Sequence, residues 1–205
     1  MIISIGNNCA PRLNIKNETT YPFDWLVTGR LMDDQGTDNL SMKCVNNMLT
    51  NTLKPSDMRF DIPRETIKRQ DRWPYEMKNR IVLHPWFISL HDLALHNDES
   101  NFQELCDKIN RRLDRLKELI QKERELTFVR IEFFDFDLTD FVEFKNIIHG
   151  LNPDLNFKVC LVSYNNYCPS HNYTWLKIFR LKDNYVKNVE WTPEWPEFNW
   201  KKIIN

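Results

Sequence analysis

The chain opens MIISIGNNCAPRLN, with Cys9 three residues after a glycine that ends a short apolar run. A thiol at such a bend could act as a nucleophile. At a helix start, the dipole and free N–H groups favour the thiolate, which is the reactive form. The turn of Gly6, Asn7 and Asn8 could offer backbone N–H groups to an oxyanion, the logic of strained turns that display a reactive atom. The competing reading is a small side chain filling a tight corner.

Thiolate catalysis also needs a base, and a group to orient it. The histidines are His84, His91, His96, His149 and His171. His91 leads, because FISLHDL sets it at the end of an apolar strand with Asp92 beside it; His84, before Pro85, is the reserve. In parallel sheets, sites gather at the carboxyl ends of strands, where Cys9 and His91 are both expected. Asp92 is an awkward orienter, since adjacent strand residues face opposite sides. Asp24, in YPFDWL, competes for the role. Its other reading is a structural acid that accepts N–H groups of its own loop. Arg130, within FVRIEFF, must meet a carboxylate, a carbonyl or a bound anion, and Asp24 or Asp92 is the expected partner. Arg12 could contact an anionic substrate group or lie solvated.

These residues need elements to hold them. Ile2 to Ile5 reads as a buried strand, and Cys9 then falls near the start of a helix. Residues 26–53 carry a weak helical pattern, and residues 54–79, charged and proline-broken, read as a surface excursion. Arg80 to Leu83 and Trp86 to Leu90 read as strands or one interrupted strand. From Phe102 to Ile120, apolar side chains recur at spacings of three and four, which makes one buried helix stripe. Lys108, Arg111, Arg112, Arg115, Lys117 and Glu118 fall on its other, solvated face. Leu126 to Phe134 is the strongest strand signal, followed by a helix over Leu138–His149 capped at Gly150. Phe157 to Ser163 and Trp175 to Leu181 complete the pattern. Strand and helix in alternation predict an α/β fold: one α/β/α three-layer domain over 1–205 with a mostly parallel central sheet, Rossmann-like or SGNH-hydrolase-like. An aromatic tail occupies 185–205.

Composition narrows the classes. The chain has 205 residues and a net charge of −1, so a basic nucleic-acid footprint is missing and nucleic-acid binding is disfavoured. Its five cysteines form no CxxC pair, so neither a metal site nor a disulfide framework is expected, and no cofactor motif stands out. The opening residues do not read as a signal peptide, and no apolar run reaches the ~18 residues of a membrane span. A cytoplasmic, intracellular protein is the expectation.

ISIGNNC, YPFDWL, SLHDL, and RRLDRLKELI leading into FVR, in that order from Ile2 to Arg130, resemble the family labelled "putative papain-like cysteine peptidases", found in bacteria and large DNA viruses. The resemblance implies Cys9 as nucleophile and His91 as base, with Asp24, Asp92 and Arg130 as motif residues of unassigned role, and, for a viral source, a place in the host cytoplasm or virion. It also implies a cysteine facing an antiparallel sheet that carries the histidine, whereas the alternation of elements favours a parallel sheet.

Three functions compete. The first is a cysteine hydrolase, peptidase-like or an esterase or acyl-transfer enzyme, acting on a peptide or small-molecule substrate through a Cys–His pair. The second is a nucleotide- or sugar-phosphate-binding protein, glycan-processing without thiol catalysis, with Arg12 and Arg130 on the anion. The third is a docking module using the C-terminal aromatic tail on a protein partner; its alternative is a segment packed across its own domain.

Overall fold

In the computed structural model, the described residues are 1–6, 21–24, 26–28, 42–52, 67–69, 80–84, 87–89 and 99–184. In chain order they form β1 (Ile2–Ser4), a 3-10 turn (Pro22–Asp24), β2 (Leu26–Val27), α1 (Met42–Thr52), β3 (Ile67–Arg69), β4 (Arg80–His84) and β5 (Phe87–Ser89). Then come α2 (Glu99–Lys122), β6 (Glu125–Glu132), α3 (Leu138–Leu151), β7 (Asn156–Ser163), β8 (Leu176–Arg180) and the short α4 (Leu181–Asn184).

The N-terminal apolar run pairs with a strand far along the chain. A four-stranded sheet runs in the order β1-β6-β7-β8, every pair parallel, with Ile3 opposite Phe128 and Phe128 opposite Val159. This is the α/β architecture that the alternation of elements predicts. The central strands β6 and β7 are buried on both faces over most of their length, which is why they read as nearly unbroken apolar runs. Ile3, Ile5, Leu126, Phe128, Phe157 and Val159 share a core with α1, α2 and α3. There Phe128 meets Phe144 of α3 edge to face at 5.1 Å. Val129, Ile131, Cys160 and Val162 point to the opposite face, where Phe179 and Leu181 pack against them.

Side chains close the ends of α3. Asp137 caps α3, accepting the Thr139 N–H at 2.8 Å. At the far end the cap is Asn152, not Gly150, which lies inside the helix. Asn152 offers more than a glycine would. Its N–H donates to Ile148 O, and its side-chain amide donates to Ile120 O at 2.8 Å and Glu123 O at 3.0 Å. One residue thereby closes α3 and ties it to the carboxyl end of α2.

Three further expectations change. Residues 26–53 are not one helical stretch, because Leu26–Val27 is a strand; among the described residues of that span the helix is Met42–Thr52. Residues 67–69, inside the supposed excursion, form β3. Arg112 is buried instead of solvated, because α2 is covered on more than one side, by α1, α3 and the 3-10 turn.

The element that the alternation did not foresee is a second sheet. It has four strands in the order β2-β5-β4-β3, all antiparallel. Strands β4 and β5 pair antiparallel, with His84 opposite Phe87. Phe87 and Phe23 belong to the same core as the helices, so the antiparallel sheet is built onto the α/β unit. Among the described residues, no helix is long and apolar enough to cross a membrane.

Candidate functional site

The carboxyl ends of β1 and β6 gather the polar residues that the sequence singles out. Along β6 the side chains alternate, so Leu126 and Phe128 face the helices, and Arg130 and Glu132 continue that row. The apolar row therefore ends in two charged groups, and both are buried: Arg130 is 0% exposed and Glu132 5%. Arg130 Nε donates to Glu132 Oε1 at 2.5 Å. Its Nη1 donates to Ile5 O at 2.8 Å and to Thr28 Oγ1 at 2.9 Å, and Nη2 donates to Thr28 O at 3.3 Å. An ionised guanidinium out of water needs such company, and the carboxylate supplies the charge. The expected partners, Asp24 and Asp92, are corrected to Glu132, Ile5 and Thr28. Asp24 lies in the 3-10 turn with its own hydrogen bonds, and the i,i+2 spacing on one strand brings Glu132 within reach of the guanidinium.

Gly6 follows the Ile5 carbonyl that Arg130 holds. Its φ is +86°, a conformation costly for any residue with a Cβ. It is also tightly enclosed: a Cβ there would stand 2.6 Å from Thr28 Oγ1, and 3.6 Å from both Arg130 Nη1 and Phe23 Cβ. The Gly6 N–H points back to Ser4 Oγ at 3.5 Å. Glycine is thus required twice, by the turn and by the close approach of residue 28.

Asp24 is 1% exposed, and its Oδ2 accepts the Tyr21 N–H at 2.7 Å while its own N–H reaches Tyr21 O at 3.3 Å. This geometry is that of an acid locking its own turn. Burial, and then the charge of Asp24, push the Tyr21 hydroxyl pKa above its ordinary value. Asp24 also lies beside Phe23, which packs on Gly6.

Cys9, His91, Asp92, Asn7, Asn8 and Arg12 lie outside the described residues. Described residues lie close before Cys9 and His91 in the chain. Cys9 follows Gly6 by three residues; His91 follows Ser89 by two, and Ser89 pairs with Leu26. The sequence places His91 at the carboxyl end of a strand in the parallel sheet, but the strand preceding it, β5, belongs to the antiparallel one. Of the other thiols, Cys44, Cys106 and Cys160 are buried and Cys168 is exposed. Burial raises the Cys160 pKa. Among the described residues, no group of three or more His, Cys, Asp or Glu side chains is placed to hold a metal ion.

The family model described as "Putative papain-like cysteine peptidase (DUF1796)" matches residues 1–166. The chain belongs to this family. The matched span of this peptidase-like family takes in both sheets as far as the end of β7, with Gly6, Asp24, Arg130 and Glu132 inside it. Strand β8 and helix α4 lie beyond it. No curated protein and no solved structure matches the chain.

Thr28 and Glu132 are the site residues that sequence reasoning missed. Glu132 had a signal, an Arg-x-Glu spacing inside an apolar strand that puts both charges on one face. Thr28 had none, since its role comes from a contact with a residue 22 positions earlier.

Proposed function

We propose that the protein is a cysteine hydrolase of acyl bonds, in which Cys9 is the nucleophile, His91 the base and Asp24 the group that orients the imidazole. The observation that carries this reading is the packing of Gly6 on Thr28. That contact joins the segment leading to Cys9 with the strand whose partner leads to His91. Three Cα–Cα steps keep Cys9 within about 11 Å of Gly6, and two keep His91 within about 8 Å of Ser89. Both segments therefore set out from elements that meet at the Gly6–Thr28 contact. Asp24 stands two residues before Leu26 on the strand that pairs with Ser89, as His91 stands two after Ser89. Asp92 is the alternative orienter.

The reaction follows from the groups. The Cys9 thiolate adds to a carbonyl carbon, and the backbone N–H groups of Asn7 and Asn8, in the turn after Gly6, receive the oxyanion. The His91 imidazolium gives its proton to the departing amine or alcohol as the carbonyl–heteroatom bond breaks. Water then attacks the thioester with His91 as base, releasing the acid and restoring the thiol. Arg12, beyond the turn, is placed in sequence to meet an acidic group of the substrate. Arg130 is assigned no direct contact with substrate, since its guanidinium already serves Glu132, Ile5 and Thr28.

Alkylation tests the reading. Iodoacetamide near neutral pH should modify Cys9 faster than exposed Cys168, and His91→Ala should remove that advantage. Labelling of Cys9 no faster than Cys168 would sink the proposal.

A further inference from the structure

Arg130 presents a problem of energetics that the proposed chemistry does not by itself explain. A buried ion pair such as Arg130–Glu132 is weak evidence for stability, because desolvation offsets the attraction and an apolar pair of like volume is often as stable. Contact with substrate is no explanation either, as the guanidinium is fully enclosed by protein groups. What sets this side chain apart is where its bonds go. Nη1 holds the carbonyl of Ile5, the last residue before the Gly6 turn. The same nitrogen, with Nη2, holds the hydroxyl and carbonyl of Thr28, the residue that follows β2. Ile5 extends the parallel sheet and Thr28 extends the antiparallel one, so a single planar group spans the junction of the two sheets. Glu132 fixes the plane by taking Nε.

Resting on the Cys9–His91 reading, we infer that Arg130 is a positioning residue, which sets the thiol and imidazole segments at a fixed separation by clamping Ile5 and Thr28 together. A guanidinium suits this task because its donors form a rigid fork, where a lysine would offer one mobile point. The precision matters, since a displacement of about 1 Å between reacting groups can cost on the order of a hundredfold in rate. Glu132 and Thr28 share the role, one holding the fork and the other receiving it.

The test reads the Cys9 alkylation rate by iodoacetamide as a function of pH, by mass spectrometry on the whole chain. Cys168 serves as internal control, and thermal unfolding is measured in parallel. Thr28→Val removes the hydroxyl with little change in shape, and Glu132→Gln removes the charge that holds the fork. Each should lower the Cys9 rate at pH 7 about tenfold or more and move its pH midpoint up towards that of a free thiol, about 8.5. The Cys168 rate should stay as it is, and Thr28→Ser should restore the native profile. Folded Thr28→Val and Glu132→Gln proteins with the native Cys9 profile overturn the inference, while loss of the advantage in His91→Ala leaves the Cys–His reading standing. A native profile in His91→Ala overturns both. Rates that fall only in step with the unfolded fraction mark a structural brace and overturn the positioning role alone.

Discussion

Substituting Gly6 by alanine separates the two demands on that position. The first is conformational: a φ of +86° costs a residue with a Cβ about 1–2 kcal/mol. The second is spatial, because the new Cβ would stand 2.6 Å from Thr28 Oγ1. That hydroxyl cannot turn away without losing its 2.9 Å bond from Arg130. A hydrogen bond to a charged group contributes about 1.5–3 kcal/mol, so Gly6→Ala should destabilise the protein by about 3–5 kcal/mol. Thr28→Ala removes the obstructing atom, leaving Arg130 Nη1 and Phe23 Cβ at an ordinary 3.6 Å. In that background Gly6→Ala should cost only the conformational part, about 1–2 kcal/mol. Urea unfolding of the two single variants, the double variant and the native protein gives the coupling directly. Additivity within about 0.5 kcal/mol would refute the packing argument, and with it the contact on which the proposed site is built.

Other outcomes follow from the same structure. Phe144→Ala removes a fully buried ring that stacks edge to face on Phe128 and Phe157, and should cost about 3–5 kcal/mol in denaturant unfolding. Asn152→Asp should destabilise more than Asn152→Ala in thermal unfolding, because a carboxylate would face the Ile120 and Glu123 carbonyls that the amide now serves. Asp137→Ala should cost about 1 kcal/mol through the lost cap. The backbone N–H of Thr139 lowers the Asp137 pKa, so the ionised cap's contribution is present above the ordinary carboxylate range, about 4, and fades as pH falls through the lower folded value. Asp137→Asn should flatten that part of the stability–pH curve. Native-state thiol labelling should reach Cys168 and spare Cys44, Cys106 and Cys160 until denaturant is added.

The places where sequence and structure part company have physical causes. Strand β6 and helix α3 are readable because each buries a periodic row of side chains, and periodicity is a property of the chain alone. Strands β2 and β3 carry only two and three residues, too few for a period to register. Arg112 looks solvated on a helical wheel, because a wheel shows one stripe and knows nothing of neighbours that cover a second. Gly150 looks like a cap because glycine often is one, yet Asn152 satisfies carbonyls on two helices at once.

By itself the sequence determined the α/β alternation, the parallel pairing that strands joined through helices adopt, and the need of Arg130 for buried company. It also ordered the motifs that mark the family. Only the tertiary structure decided that the company is Glu132, Ile5 and Thr28, and that the strand before His91 belongs to a separate antiparallel sheet. The reason is the range of the interactions. Periodicity and turn chemistry act over a few residues, whereas the Gly6–Thr28–Arg130 junction joins three distant stretches of chain through contacts that exist only once the sheets have met.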